Sequence, residues 1–164
     1  TGEGGSHSAG VMDGVYCRYA MGSFAPSPYA HDRISTVTVQ TLGDAADWGD
    51  LTLARYTGAA ISSDAGRGVF CNGYREGSSP YNTEILDYIT IATMNNALDF
   101  GDSRVACDSG RGVQNGTRGV WNFAVHPTQP TNEMGYITIA SLGNSADFGD
   151  QHTAKAVAGS VSAD

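Results

Sequence analysis

Three loops of this chain of 164 residues carry evenly spaced side-chain oxygens, the ligands that calcium prefers. In each loop an Asp or Asn is followed by Asp three and six residues later. The nine residues are Asp44, Asp47 and Asp50, then Asn96, Asp99 and Asp102, and then Asn144, Asp147 and Asp150. One interpretation is a calcium site in each loop. The other, which we favour, is that these side chains close turns by binding backbone amides, because no EF-hand pattern accompanies them.

Residues that usually carry catalysis form no recognised motif here. The histidines are His7, His31, His126 and His152, and the cysteines are Cys17, Cys71 and Cys107. Neither set has metal-binding spacing, and the chain contains no GxSxG, HExxH, P-loop or dinucleotide pattern. The sequence therefore predicts a protein that is not an enzyme and that needs no cofactor, calcium apart.

Composition excludes two classes of partner. The formal net charge is −8 with only nine Lys and Arg residues, whereas binding to a nucleic-acid backbone needs clustered positive charge. No apolar run approaches the roughly 18 residues of a membrane-spanning helix, so we expect no membrane insertion. The 22 glycines and the preference for Asp over Glu indicate strands joined by turns.

The elements that hold these loops belong to an internal repeat of about 50 residues. The segment VTVQTLGDAADWGD at 37–50 recurs as ITIATMNNALDFGD at 89–102 and as ITIASLGNSADFGD at 137–150. A second marker reads DGVYC, RGVFC and RGVWN and begins at residues 13, 67 and 118. We predict one repeat domain over 1–164, with units at about 11–55, 65–107 and 115–155.

Alternating apolar positions in the first marker indicate half-buried strands, and each unit has room for about four of them. The predicted fold is therefore all-β, with three tandem antiparallel repeats. The alternate residues expected in the core are Val37, Val39, Ile89, Ile91, Ile137 and Ile139. Two aromatic sets are expected to pack between units: Tyr16, Phe70 and Trp121, and Trp48, Phe100 and Phe148.

The order of elements resembles the kelch repeat, in which a strand ending in a glycine pair precedes a strand with an aromatic residue and then a second aromatic residue. In this chain Asn72 stands in place of the first glycine of that pair, and Gly73 remains. RGVFCNGY at 67–74 and ILDYITIAT at 85–93 occupy those two places, and Phe100 stands where the kelch family has Trp. The sequence around YITIAT and DFGD is also similar to repeats in structural proteins of marine tailed phages and in uncultured microbial sequences. These resemblances imply propeller-like or prism-like blades and a virion or extracellular location.

The two ends of the chain read as parts of one repeat. Residues 151–164 align without a gap to 51–64, and the element that should follow them stands near the N-terminus. We therefore expect a split first repeat, completed when 151–164 pair with 11–19. The pairing would close a ring within one chain, join two chains into a six-bladed ring, or link chains into an open polymer.

These patterns favour a structural subunit of an extracellular filament, fibre or virion appendage whose partner is the protein itself. The alternative is a carbohydrate-binding or receptor-binding module that uses Tyr29, Tyr74 and Tyr81 near proline-bearing loops. Asn115 begins an Asn-Gly-Thr glycosylation sequon.

Overall fold

The structure is a computed structural model that describes residues 5–6, 8–24, 26–77, 79–125 and 129–155. Over these ranges the chain is all-β, as the alternating sequence pattern predicts, and contains no helix. Consequently no helix in the described part is long and apolar enough to cross a membrane.

Three four-stranded antiparallel sheets, one per repeat, make up the fold. The first contains β2 (Ala9–Met12), β3 (Tyr16–Ala20), β5 (Arg33–Thr38) and β6 (Ala46–Asp50). The second contains β7 (Ala59–Ser62), β8 (Arg67–Cys71), β9 (Thr83–Thr90) and β10 (Leu98–Cys107). The third contains β11 (Gly112–Gln114), β12 (Arg118–Asn122), β13 (Glu133–Thr138) and β14 (Ala146–Asp150). A short ribbon pairs β1 (Gly5–Ser6) with β4 (Ser23–Phe24).

The strands of each sheet are neighbours in the order in which they occur in the chain, although β4 lies outside the first sheet, and the first sheet has all four of its strands. Strand β2 supplies its first strand, and β3 pairs with β2 on one side and β5 on the other. The expected split is therefore not needed to complete the first repeat. Of the C-terminal segment, residues 151–155 are described, and they bind backbone just before β13. The predicted pairing joins 151–164 to 11–19, whereas the backbone amides of Gln151 and Lys155 bind the carbonyls of Asn132 and Thr131 instead. The remainder of that pairing, from 156 to 164, lies outside the described residues.

Strand pairing corrects the alignment of the second sequence marker. The amide of Val39 binds the carbonyl of Val15, as Ile91 binds Gly66 and Ile139 binds Thr117. These bonds place Cys17, Gly68 and Gly119 at one position, opposite Val37, Ile89 and Ile137 respectively. The sequence alignment had matched Cys17 with Cys71, which is three residues out of register. The residue equivalent to Phe70 and Trp121 is therefore Tyr19, so Tyr16 was assigned to the wrong repeat position. Tyr16 nevertheless packs, half-buried, against the apolar cluster between the first and second sheets.

The sheets stack face to face, with the second between the other two. One buried apolar cluster joins the first and second sheets and includes Val11, Trp48, Phe70, Ile89 and Ile91. A second cluster joins the second and third sheets and includes Ile61, Phe100, Trp121, Ile137 and Ile139. The middle sheet is thus covered on both faces.

The predicted core residues divide according to this stacking. Ile89, Ile91, Ile137 and Ile139 are buried, which confirms the prediction for the second and third units. The prediction for the first unit was wrong, because Val37 is only half-buried and Val39 is 53% exposed. These two valines lie on the outer face of the first sheet, which no other sheet of the described residues covers.

A glycine at the start of β8 and β12 lets each sheet approach its predecessor closely. A Cβ atom at Gly68 would lie 2.5 Å from Cγ2 of Val11, and one at Gly119 would lie even closer to Cδ1 of Ile61. Both valine and isoleucine stand at the same place in the first strand of their sheets. We call the contact between two successive sheets a joint. In both joints a branched side chain of one sheet packs against the glycine backbone of the next sheet.

Equivalent positions that differ in burial should differ in how much free energy of unfolding is lost when the side chain is shortened to alanine. Ile91→Ala should lower the free energy of unfolding by about 2–5 kcal/mol, because it leaves a cavity between two sheets. Val39→Ala, the matched control at the equivalent exposed position, should change it by less than about 0.5 kcal/mol in the monomer. Denaturant unfolding of both variants checks this, and equal costs would contradict the stacking.

Candidate functional site: the joints and the two end faces

The loop before the last strand of a sheet binds the previous sheet by hydrogen bonds. Asn96 Oδ1 accepts a bond from the amide of Asp50 at 3.2 Å, and Asn144 Oδ1 accepts one from the amide of Asp102 at 3.0 Å. The residue after each Asn donates its amide back to the carbonyl of the same Asp at 2.8 Å. Each joint thus contains a reciprocal pair of bonds, centred on Asn.

An arginine from each sheet binds a carbonyl of the next sheet. Arg18 Nη2 donates to the carbonyl of Ile91 at 2.6 Å, and Arg67 Nη1 donates to the equivalent carbonyl of Ile139 at 2.9 Å. Aromatic rings hold both guanidinium groups in place, and the Arg67 group lies 4.8 Å from the centre of the Tyr88 ring. Burial lowers the pKa of Arg18. The two joints therefore share one acceptor position although the arginines come from different strand positions.

The second aromatic set completes each joint. Trp48 is 4% exposed and Phe100 is 2% exposed, because the following sheet covers each ring. The Phe100 ring meets the Tyr88 ring edge to face, with 6.2 Å between ring centres. This part of the sequence prediction, aromatic packing between units, is confirmed for Trp48 and Phe100.

The joint between the first and second sheets has one addition, a buried ion pair. Arg55 Nη1 lies 2.7 Å from Asp87 Oδ2, and both side chains are fully buried. Thr52 donates to the same carboxylate through its amide at 3.1 Å and its hydroxyl at 2.6 Å. Such a pair is stable only because further hydrogen bonds replace the lost water.

The outer face of the third sheet, which we call the tail face, carries the same residues without a cover. Phe148 is 46% exposed, although its ring meets Tyr136 edge to face just as Phe100 meets Tyr88. The Arg118 guanidinium lies 4.5 Å from the centre of the Tyr136 ring, as Arg67 lies over Tyr88. Val113, which stands at the place of Val11 and Ile61, is exposed as well. The prediction of a packed Phe148 was therefore wrong for the single chain.

The outer face of the first sheet, which we call the head face, is also partly apolar. Its exposed members are Met12, Tyr19 and Val39. Asp44 stands in its loop at the place of Asn96 and Asn144, and it is exposed. Cys17 lies on the same face but is buried. The head face thus presents the positions that each following sheet uses in an internal joint.

The oxygen-bearing loops act in these joints and in turns. Asp99 Oδ1 accepts the amide of Gly101 at 3.0 Å, and Asp147 Oδ1 accepts the amide of Gly149 at 3.2 Å. These bonds confirm the turn-closing interpretation for both aspartates. In the described residues no group of three or more His, Cys, Asp or Glu side chains is placed to hold a metal ion. The sequence pattern did not indicate the bonds that Asn96 and Asn144 make across the joints.

The chain matches no protein-family model and no curated protein sequence.

The tyrosines predicted to bind a ligand come from neighbouring loops. Tyr74 and Tyr81 stack in parallel with 5.4 Å between ring centres, and Tyr81 and Tyr29 are each about half exposed. Glu76 joins the two loops by accepting bonds from the Ser27 hydroxyl at 3.0 Å and from the amide of Tyr29. The face of Tyr74 is therefore occupied by Tyr81, which leaves Tyr29 and Tyr81 as the accessible rings.

Asn115 and the cysteines stand apart from this site. Asn115 is exposed, and its Oδ1 accepts the amide of Arg118 at 2.8 Å in a turn, so glycosylation there stays a prediction. All three cysteines are free and buried. Burial raises the pKa of Cys71 and of Cys107, which makes both thiols poor nucleophiles.

Removing the acceptor from one joint should weaken the fold measurably. Asn96→Ala deletes the bond to the Asp50 amide and should cost about 0.5–1.5 kcal/mol. Asn96→Asp keeps an acceptor oxygen and should cost less. Denaturant unfolding of the two variants checks the order, and an equal loss from both would show that the bond does not stabilise the joint.

Because side-chain oxygens in the second and third loops already bind backbone amides, we expect no dependence on calcium; these residues are Asn96, Asp99, Asn144 and Asp147. Adding a chelator should leave the melting temperature unchanged, since a ligand that binds only the native state would have raised it. A calcium-dependent rise in melting temperature would instead restore the metal interpretation of the loops.

Proposed function

We propose that this protein is a non-enzymatic structural subunit that assembles with further copies of itself into an extracellular filament, fibre or virion appendage. The observation that carries the proposal is the contrast between Phe148 and its two counterparts. Trp48 and Phe100 are covered by the next sheet, whereas Phe148 meets an equivalent ring in its own sheet but is 46% exposed and is covered by no further sheet of the described residues. The end of the stack therefore repeats an interface whose second half is missing.

Single exposed apolar residues are ordinary on protein surfaces. Exposed apolar residues at positions that are buried in the internal joints are stronger evidence for an interface. Phe148 and Val113 on the tail face both correspond to buried residues of the internal joints. On the head face, Val39 corresponds to Ile91 and Ile139, which are fully buried. Removing this apolar area from water favours association, and the entropy that two copies lose on binding offsets part of that gain.

The stacking supports two forms of assembly. The first strands of the sheets lie close together, since β7 contacts both β2 and β11, so the sheets gather on one side as propeller blades do. Two copies joined head to tail at both ends would close a ring of six blades. Without closure the same contact would generate a filament.

Charge opposes either form at low ionic strength. The net charge of −8 makes copies repel one another, and salt screens that repulsion over about 10 Å at 0.1 M. Assembly is therefore expected to strengthen with moderate salt, unlike an assembly held by opposite charges.

The exposed rings of Tyr29 and Tyr81 favour a second candidate function, binding of carbohydrate or of a receptor. Flat aromatic faces beside a carboxylate such as Glu76 suit the stacking and hydrogen bonding of a sugar. This candidate does not require assembly.

Size under native conditions decides between the two functions. Sedimentation velocity should show species larger than the monomer that increase with protein concentration and with moderate salt. Electron microscopy of the same material should show rings or filaments. A monomer at every concentration and salt level that also binds a glycan array would contradict the structural proposal and support the binding module.

A further inference from the structure

We propose that the tail face docks on the head face of a second copy in the register of the internal joints, with Arg118 on the Val39 carbonyl and the Asp150 amide on the Asp44 carboxylate. This inference rests on the proposed self-assembly and names the surfaces and contacts that produce it. A second copy of this chain is the expected partner of the tail face, because the same kind of contact already occurs twice within the chain, between the first and second sheets and between the second and third.

The first contact uses the arginine of the tail face. Arg118 stands in β12 where Arg67 stands in β8, since each precedes the glycine that pairs with Ile137 or Ile89. Arg67 reaches forward to the carbonyl of Ile139 in the next sheet. The equivalent carbonyl on a head face is that of Val39. The Tyr136 ring holds Arg118 in place before docking, which reduces the entropy lost when the bond forms.

The second contact uses the loop of the head face. Asp44 has the place of Asn96 and Asn144, whose oxygens accept the amides of Asp50 and Asp102. The third sheet presents the equivalent amide at Asp150. A Cβ atom at Gly101 would lie 2.6 Å from the carbonyl oxygen of Gly143, whereas one at Gly149 meets nothing within 4 Å. The space for an incoming loop is therefore open beside Gly149.

The third contact is apolar. Inside the chain, Trp48 packs in one cluster with Ile89 and Ile91, and Phe100 packs in one cluster with Ile137 and Ile139. At the ends, Phe148 would pack on the Val37 and Val39 positions of the second copy. The smaller valines leave room for a full phenylalanine ring.

One position distinguishes this joint from the internal ones. Cys17 stands where Gly68 and Gly119 admit a branched side chain from the previous sheet. Val113, the side chain that would approach it, is smaller than Ile61. The sheets of two copies are therefore held further apart at this point than the sheets within one chain.

Polarity makes the contact one of unlike faces. The tail face supplies the donors, from Arg118 and the Asp150 amide, and the head face supplies the acceptors, from Val39 and Asp44. Two head faces would oppose two carboxylates, and two tail faces would oppose two guanidinium groups. The geometry therefore favours a heterologous joint over a symmetric dimer.

Two variants that each disable one face test the proposal. Phe148→Asp changes the tail face and Val39→Asp changes the head face, and both side chains are about half exposed, so the monomer should still fold. Sedimentation velocity should show that each variant alone associates at least tenfold more weakly than the natural chain. An equimolar mixture should form a 1:1 dimer and nothing larger, because only one intact head and one intact tail can meet.

Leu142→Ser is the matched control. Leu142 is 57% exposed, and its counterpart Met94 stays exposed at an internal joint, so this position lies outside the contact. The variant should assemble as the natural chain does. Thermal unfolding of every variant verifies folding, and Phe148→Ser with Val39→Ser replaces the charged pair if either charged variant unfolds.

Two substitutions of Asp44 test the proposed hydrogen bond to the Asp150 amide. Asp44→Ala removes the acceptor and should weaken association several-fold, whereas Asp44→Asn keeps an acceptor and reproduces the internal joints. The Asp44→Asn variant should therefore associate at least as tightly as the natural chain, and its association should depend less on salt.

The failures of this inference and of the proposed function are distinguishable. If the natural chain stays monomeric at all concentrations, both are wrong. If it assembles but Phe148→Asp and Val39→Asp, or the serine pair, assemble equally well, only the docking register is wrong. Dimers formed by one variant alone, or the absence of dimers in the mixture, would likewise overturn the head-to-tail contact.

Discussion

The close approach of one sheet to the next is the constraint on which the rest of the structure depends. Val11 packs against the backbone at Gly68, and Ile61 packs against the backbone at Gly119, where a Cβ atom would collide with either side chain. This distance brings the Asn loops within hydrogen-bond reach of the previous sheet. It also lets an arginine reach the next sheet's carbonyl. Apolar packing, loop bonds and arginine bonds therefore occur together at both internal joints.

The sequence predicted the elements well because strands are local patterns. Alternating apolar residues and turn-forming residues identified an all-β fold with three repeats, and Ile89, Ile91, Ile137 and Ile139 are buried as expected. Burial of Val39 could not be predicted from the same pattern, because cover depends on the place of a sheet in the stack. The alignment of Cys17 with Cys71 failed for a different reason. Backbone pairing with Val37 determines the strand register of Cys17. The similarity of the two short segments reflects their residue types and carries no information about that pairing.

The candidate site was predicted in part. The recurring loops were recognised, and turn closure by Asp99 and Asp147 was anticipated, since such bonds are local. The bonds of Asn96 and Asn144 cross between units, so only knowledge of the stacking reveals them. One signal was present in the sequence: two units have Asn at this place, and the first has Asp44. Arg67 and Arg118, which recur before Gly-Val, were a second signal.

The ends of the stack show how far this chain departs from an isolated repeat protein. Arrays of repeats that stay monomeric usually end in units with a polar outer face, because an apolar end would bind another copy. Here the tail face keeps the phenylalanine, the valine and the ring-held arginine of an internal joint. The head face differs more: Asp replaces Asn, Val replaces Ile and Cys17 replaces glycine. In the proposed docking, each of these replacements would weaken a contact between copies relative to the matching contact within the chain, without removing it. If copies associate as proposed, such a joint would let each monomer fold first and associate afterwards.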